Sequence, residues 1–316
     1  MSWLLAVLWL AAPVSADEPA WKKALREQAA LHSWDPLDGR FAQETVRALE
    51  TLASTREHLR FVKAQRIDLK VVEPNEKLPG TAIGSYVEAD RTMYINEDEL
   101  MKGADELRRR EAPEDSIPGI LAWKFLQTTV HEIRHAITRQ KIRDQVGVDL
   151  KLNPLEGEYI SFLDEARVFR EAVRVKPDLW SDPSRILEVE RTSGEVLRAL
   201  DRGVPAFEEY VDGLYDGKPS LLREPRDKLL EEYVRRKVVL EKDADELLKT
   251  DMSSVTDEET RDDLAEVAYT IADGILLYKQ MLVVLKSPGQ YAKLRSFYRS
   301  ELDALAKAAK KPRALP

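Results

Sequence analysis

The chain has 316 residues, of which 43% are hydrophobic and 34% charged, a balance typical of a globular rather than a disordered protein. Its 57 acidic residues outnumber the 49 basic ones and give a formal net charge of -8, so we expect no nucleic-acid partner. Cysteine is absent, which excludes disulfide scaffolds, thiol nucleophiles and cysteine-ligated metal sites. Any metal must therefore be bound by nitrogen and oxygen, and the chain has only four histidines.

Residues 3–12 form an apolar run that is too short to cross a bilayer as an ordinary helix. Val14-Ser15-Ala16 follows it and fits the small-residue rule for signal-peptide cleavage after Ala16. We expect residues 1–16 to be a bacterial-type signal peptide and the mature protein to be periplasmic or secreted, with no membrane span left. The alternative is an uncleaved anchor, because the start of the run has no basic side chain.

The first third of the chain alternates between helical and strand-like patterns. Apolar residues first recur at helical spacing, then alternate with polar ones, and then form two short β-like runs around a turn. Asn96, with Glu99 three residues later, predicts the cap of a further helix. The predicted elements are a helix, a strand, a strand pair and a helix, over residues 21–65, 66–71, 81–96 and 97–110.

A long amphipathic helix follows, with Pro118 in its first turn and Gly147 as its predicted stop. Everything after it also has a helical pattern, so the sequence predicts a predominantly helical α+β fold. The small sheet and this long helix would precede an all-helical C-terminal region. The predicted helices cover residues 116–147, 155–174, 185–214, 221–249, 257–286 and 288–309. A linker at 175–183 would divide a domain at 17–178 from the helical region at 179–316.

The long helix contains His131-Glu132-Ile133-Arg134-His135, the pattern H-E-x-x-H. Four residues advance a helix by about 400°, so His131 and His135 share one face and can bind one metal ion. Glu132 borders that face and can act as general base on a metal-activated water. Because chance rarely produces this pattern, we favour a Zn²⁺ site over a pair of incidental surface histidines.

A catalytic zinc site needs a third protein ligand. No histidine follows His135, so this ligand should be a carboxylate on a following element. The acidic residues of the next predicted helix are Glu156, Glu158, Asp164 and Glu165. Glu158 and Glu165 lie seven residues apart and therefore share one helix face, so the spacing alone leaves both open.

The chain resembles the H-E-x-x-H zinc metallopeptidases, and among them the gluzincin branch to which thermolysin belongs. In that branch the third ligand is a glutamate on a downstream helix, and the run 163–166 (LDEA) matches the glutamate–alanine core of its signature. The resemblance implies Glu165 as the third ligand, with Glu158 as the alternative. The chain departs from the signature at Phe169, where an acidic residue is usual, and at Val168, where one form has alanine.

The same resemblance implies an edge strand, ahead of the metal-binding helix, that pairs with extended substrate. Tyr86 and Tyr94 are its predicted substrate-binding residues, and the alternative is a structural hairpin without substrate contact. The resemblance also implies a side chain that stabilises the oxyanion; Tyr159, beside a candidate ligand, is the candidate, and Tyr86 and Tyr94 are the alternatives that the sequence leaves open. Of the neighbouring charged residues, Asp164 is expected to be a cap or a surface acid, and Arg134 to be solvated or ion-paired.

We therefore expect an exported zinc-dependent metallopeptidase that acts on a peptide or protein substrate. The helical C-terminal region would form the floor of the cleft or a separate module. The alternative is a non-catalytic zinc-binding scaffold or interaction protein of the cell envelope, in which the helical region carries the function. A helical envelope protein with an accidental motif is the third possibility.

Overall fold

The computed structural model describes residues 35–73, 82–180, 188–215, 218–249 and 258–310, so the predicted signal peptide lies outside the described residues. Within them the chain forms eleven α-helices and three strands, which confirms the predicted helical α+β class. In chain order these are α1 (Asp35–Thr51), α2 (Arg56–Gln65), β1 (Asp68–Val72), β2 (Gly84–Val87), β3 (Thr92–Asn96), α3 (Glu97–Arg109), α4 (Ile117–Lys124), α5 (Leu126–Val146), α6 (Leu155–Val175), α7 (Glu188–Arg202), α8 (Val204–Leu214), α9 (Arg226–Leu247), α10 (Glu258–Lys286) and α11 (Pro288–Lys310).

Three predicted helices are each divided in two. The described part of 21–65 is interrupted by a 3₁₀ turn at Ala53–Thr55, which separates α1 from α2. The long helix is interrupted at Phe125, a buried residue whose backbone leaves the helical conformation. The predicted helix after the linker breaks at Gly203, whose φ of 121° favours glycine, and Pro205 follows in the first turn of α8. Local packing and one glycine conformation therefore override the helical periodicity at these points.

The three strands form one mixed sheet in the order β1-β3-β2. β3 is central and fully buried, with β1 parallel and β2 antiparallel to it, so the predicted strand pair is confirmed. The Asn96 side chain accepts a hydrogen bond from the Asp98 N–H at 3.0 Å and caps α3, as predicted. The backbone N–H of Asn96 donates a 3.0 Å hydrogen bond to the carbonyl of Ile83, just before β2.

Strand β2 lies alongside α5. A Cβ atom at Gly84 would come within 2.8 Å of the Thr128 side chain, so only glycine lets the strand approach this closely. Just after β2, the Glu88 carboxylate lies 4.0 Å from the guanidinium of Arg139. The α5 residues on the stripe between these two contacts are Thr128, Glu132, His135 and Arg139. The edge strand therefore runs beside the helix face that carries part of the H-E-x-x-H sequence.

The largest hydrophobic core crosses the predicted domain boundary at 178/179. It extends from Ile142 at the end of α5, through α6, to Ala309 near the end of α11. Two smaller clusters lie on the other side of α5, one beneath the sheet and one between α1 and α6. The helical C-terminal region therefore packs directly on the two helices that carry the predicted metal ligands.

One segment of the described chain, Val267–Lys286 in α10, has the length and composition that would allow it to cross a membrane. Of its most apolar window, 33% is buried inside the protein. α10 packs along α9, and the two helices expose several valines, among them Val238 and Val283. The expectation that no membrane span remains after signal cleavage stays a prediction.

We expect Gly84→Ala to lower the free energy of unfolding by about 1–3 kcal/mol, because the added methyl group must displace Thr128 and the strand. Thr128→Ser removes the methyl group that it would meet, so the double variant should recover part of the loss. Gly119→Ala is the matched control, since the nearest atom to its Cβ is 3.9 Å away, and it should stabilise α4 by up to about 1 kcal/mol. Urea unfolding measures all four variants, and a Gly84→Ala midpoint equal to that of wild type would contradict the close packing.

Candidate metal centre

The H-E-x-x-H sequence lies in the second and third turns of α5, which packs along α6. The helix ends at Gly147, whose φ of 75° gives the left-handed cap that the sequence predicts. The side chains of His131 and His135 are only 12% and 10% exposed, and both face carboxylates of α6. Two packed helices, rather than loops, therefore hold the candidate site.

Three donor atoms converge on one point between α5 and α6. The Nε2 atoms of His131 and His135 lie 3.0 Å apart, and Oε2 of Glu158 lies 3.4 Å from each of them. Ligand atoms about 2.0–2.1 Å from a tetrahedral zinc ion are separated from one another by about 3.3 Å. This triangle of two imidazole nitrogens and one carboxylate oxygen therefore fits a single zinc ion.

The other ring nitrogen of each histidine also has an oxygen partner. Nδ1 of His131 lies 3.0 Å from Oε2 of Glu165, and Nδ1 of His135 lies 3.1 Å from the hydroxyl of Ser161. A proton on each Nδ1 would satisfy these contacts and leave both Nε2 lone pairs directed at the shared point. The outer hydrogen bonds therefore hold both imidazoles with their Nε2 atoms toward one shared point.

The two candidate glutamates lie on different sides of His131. Glu158 contacts the Nε2 atoms, whereas Glu165 contacts the outer Nδ1, so the geometry favours Glu158, the alternative, as the third ligand. The resemblance had implied Glu165 because of the alanine after it. Helix periodicity puts both acids on one face, and only the packing of α6 on α5 distinguishes their positions. Ser161, on the same face as both, could have been found from this spacing.

The electrostatics of the site favour a positive charge at its centre. Burial lowers the pKa of His131, but hydrogen bonds to Glu158 and Glu165 and their charges outweigh burial and hold it well above its usual value. Burial likewise raises the pKa of Glu158, but the charges and hydrogen bonds of the two histidines hold it well below its usual range. A carboxylate oxygen of Glu132 lies within 4.8 Å of donor nitrogens of both histidines. A divalent cation at the shared point would be stabilised by the same negatively charged carboxylates.

The tyrosine at this site is Tyr215, from the C-terminal region. Its hydroxyl donates a 2.6 Å hydrogen bond to Oε2 of Glu158. Burial and the charge of Glu158 raise its pKa above the usual value, so it stays protonated. Tyr159, the predicted oxyanion residue, is instead fully buried and bonded to Asp212 and Arg223. Nothing in the spacing of Tyr215 from the motif could have indicated its place.

The two predicted substrate-binding tyrosines lie on different strands. Tyr86 is on the edge strand β2, beside α5. Tyr94 is on β3, which is the central strand and not an edge, and its hydroxyl donates a 2.8 Å hydrogen bond to Asp90. A substrate backbone could pair only with an edge strand, so substrate contact stays a prediction for Tyr86 and loses its structural basis for Tyr94.

A buried charge network lies behind the site. The expectation that Asp164 is a cap or a surface acid is wrong, because its side chain is fully buried. It forms an ion pair with Arg134 at 2.5 Å and lies 2.9 Å from Nε2 of the fully buried His58. Arg167 also contacts Asp164, and Arg134 reaches the half-exposed Glu57 at 2.8 Å. The network ties α2, α5 and α6 together, and Arg134 is ion-paired as predicted.

An open groove of about 470 Å³ lies between α1, α2, β1 and α5. Thr129 and Ile133 line it from α5, and helix periodicity puts them on the opposite side of α5 from His131 and His135. The groove therefore does not open onto the ligand atoms. Convergence of donor atoms, and not cavity size, identifies the candidate site.

Comparisons with known proteins do not add a family to this geometry. No protein-family model, curated protein or solved structure matches the chain. The resemblance to zinc metallopeptidases therefore depends on the H-E-x-x-H sequence itself, and the other implied residues are judged by the positions of their donor atoms.

We expect Asp164→Asn to lower the free energy of unfolding at pH 7 by about 3–5 kcal/mol, because it leaves Arg134 buried without its main counter-charge. Burial raises the pKa of Asp164, but Arg134, His58 and Arg167 hold it well below its usual range. The carboxylate therefore stabilises the fold above about pH 4, and this contribution is lost as the pH falls further.

Urea unfolding of wild type and Asp164→Asn at several pH values measures the difference, which should narrow below about pH 4. Glu57→Gln is the matched control, because it removes the exposed partner of Arg134 and should cost less than about 1 kcal/mol. Equal losses from Asp164→Asn and Glu57→Gln would contradict the buried network.

Proposed function

We propose that the protein is a zinc-dependent metallopeptidase, with His131, His135 and Glu158 as metal ligands and Glu132 as general base. The observation that carries this proposal is the triangle of Nε2, Nε2 and Oε2 atoms with sides of 3.0, 3.4 and 3.4 Å. Zinc takes nitrogen and carboxylate donors at this spacing, and a chain without cysteine offers no sulfur alternative.

Three protein donors favour a catalytic over a structural role. Structural zinc sites are closed by four protein ligands, whereas catalytic sites keep the fourth position open. In a catalytic site Glu132, whose carboxylate lies within 4.8 Å of donor nitrogens of both histidines, would act on a metal-bound water. We therefore prefer the enzyme to the zinc-binding scaffold.

Each residue of the site has a separate role in the proposed reaction. A bound zinc ion would supply Lewis acidity, which polarises a carbonyl and makes a water molecule more acidic. Glu132 accepts a proton from the attacking water and passes it to the leaving amine. Tyr215 holds the carboxylate of Glu158 by its hydrogen bond. The edge strand β2, which carries Tyr86, is the candidate for pairing with an extended peptide.

We also propose that the enzyme is exported from the cell. A signal peptide at residues 1–16 would direct the mature enzyme to the periplasm or the medium, where its peptide or protein substrates would lie. The absence of cysteine fits either compartment, since folding needs no disulfide formation there.

Metal content tests the ligand set. After purification without added zinc, wild type should retain about one equivalent, and Glu158→Ala less than about a tenth of one. Glu165→Ala should still bind zinc, with an affinity reduced by about 10–100-fold, because it loses only an outer hydrogen bond.

Glu156→Gln is the matched control on α6. Burial raises the pKa of Glu156 to about 7, so glutamine is a close mimic of its protonated form, and zinc content should not change. Zinc loss in Glu165→Ala with full retention in Glu158→Ala would return the third position to Glu165. Less than a tenth of an equivalent in wild type would reject the metal site.

Hydrolysis tests the general base. Glu132→Gln should keep its zinc but lower kcat on a mixed-sequence fluorogenic peptide library by about 10²–10⁴-fold, because the proton acceptor is lost. Asp227→Asn, which changes an exposed acid on α9, should leave the rate unchanged. If zinc-loaded wild type hydrolyses no member of the library, the result would favour the non-catalytic zinc-binding scaffold over the enzyme.

A further inference from the structure

A serine from the C-terminal region contacts the outer shell of the candidate metal site. Ser193 lies on α7, is fully buried, and its hydroxyl donates a 2.5 Å hydrogen bond to Oε1 of Glu165. The other oxygen of the same carboxylate, Oε2, lies 3.0 Å from Nδ1 of His131. Each oxygen of Glu165 therefore has its own partner, one on α7 and one on α5.

We infer that Ser193 is a positioning residue that acts through Glu165 to fix the orientation of His131. This inference rests on the proposed metal site and goes beyond it, because it gives the helical C-terminal region a role in metal binding. The chemical path consists of two hydrogen bonds in series, from the Ser193 hydroxyl to Glu165 and from the imidazole Nδ1–H to Glu165.

The carboxylate needs this second partner because it is buried. The side chain of Glu165 is only 5% exposed, so water cannot readily replace a missing donor. With Oε1 held by Ser193, Oε2 remains available to accept the Nδ1–H of His131. This contact keeps the proton on Nδ1 and the Nε2 lone pair directed at His135 and Glu158. Without Ser193, the carboxylate could turn and share its oxygens differently.

The packing of α7 makes Ser193 a rigid support. Val196, Ala199 and Leu200 of α7 are buried in the core that α7 shares with α6. The hydroxyl therefore approaches Glu165 from a helix fixed against the same element that carries the glutamate. Tyr215, at the end of α8, contacts Glu158 in a similar way. The region after the predicted linker thus supplies a hydrogen-bond donor to each of the two glutamates.

The test compares zinc affinity, measured by competition with a chromophoric chelator, and the visible spectrum of the Co²⁺-substituted protein. Ser193→Ala should weaken zinc binding by about tenfold and shift the Co²⁺ absorption bands, because His131 is less well oriented. Ser193→Thr keeps the hydroxyl and should restore both. Val196→Ala is the control: it loosens the packing of α7 without removing a hydrogen bond, so its effect on both measurements should be much smaller than that of Ser193→Ala.

A double-variant cycle isolates the path through Glu165. In a Glu165→Gln background, Ser193→Ala should weaken zinc binding by much less than in wild type, because both changes affect the same two hydrogen bonds in series. If Ser193→Ala does not fold, Ser193→Cys replaces it, since a thiol is a weaker donor of similar size. The same order of affinities is then expected.

The outcomes separate the two proposals. Wild type that binds no zinc would overturn the metal site and this inference together. Wild type that binds zinc, with unchanged affinity and Co²⁺ spectrum in Ser193→Ala, would overturn the role of Ser193 alone. Equal effects of Ser193→Ala and Val196→Ala, or additive effects of Ser193→Ala and Glu165→Gln, would also overturn that role.

Discussion

The packing of α5 along α6 is the contact on which the rest of the structure depends. The three proposed ligands, the proposed base and both Nδ1 partners come from these two helices. The buried ion pair between Arg134 and Asp164 crosses the same interface. A charge without a partner is costly in such surroundings, so the ion pair disfavours any sliding of one helix past the other. The register that pairs these charges is therefore also the register that brings the histidines to Glu158.

The acidic proposed site and a buried network of paired charges both involve side chains of α5. The proposed site combines the two imidazoles with the acids Glu132, Glu158 and Glu165, and it is short of positive charge. Behind it, the guanidinium of Arg134 is already paired with Asp164 and Glu57 and is not available to neutralise the site. A bound cation would supply the missing charge on the histidine side. Arg134, the second variable position of H-E-x-x-H, thus has its charge compensated outside the proposed site.

Features that depend on neighbouring residues could be predicted from the sequence, and features that depend on helix packing could not. The H-E-x-x-H face, the Asn96 cap and the Gly147 stop each follow from a few adjacent side chains. The choice between Glu158 and Glu165 depends on how α6 crosses α5. The spacing of residues within one helix does not determine the angle between two helices. Tyr215 and Ser193 reach the site from helices far along the chain. The acid at 164 had the pattern of a surface residue because its partners, Arg134 and His58, lie on other elements.

The shared core from Ile142 to Ala309 has a consequence for the order of assembly. The proposed ligands lie within about 30 residues of one another, so closing the loop between them costs little entropy. Their supports on α7 and α8 are added later along the chain, and the core closes only with α11. A chain synthesised from its N-terminus would thus have all three proposed ligands before the helices that support them are made. Metal capture could then precede final packing, and the last helix would convert a flexible chelate into a rigid one.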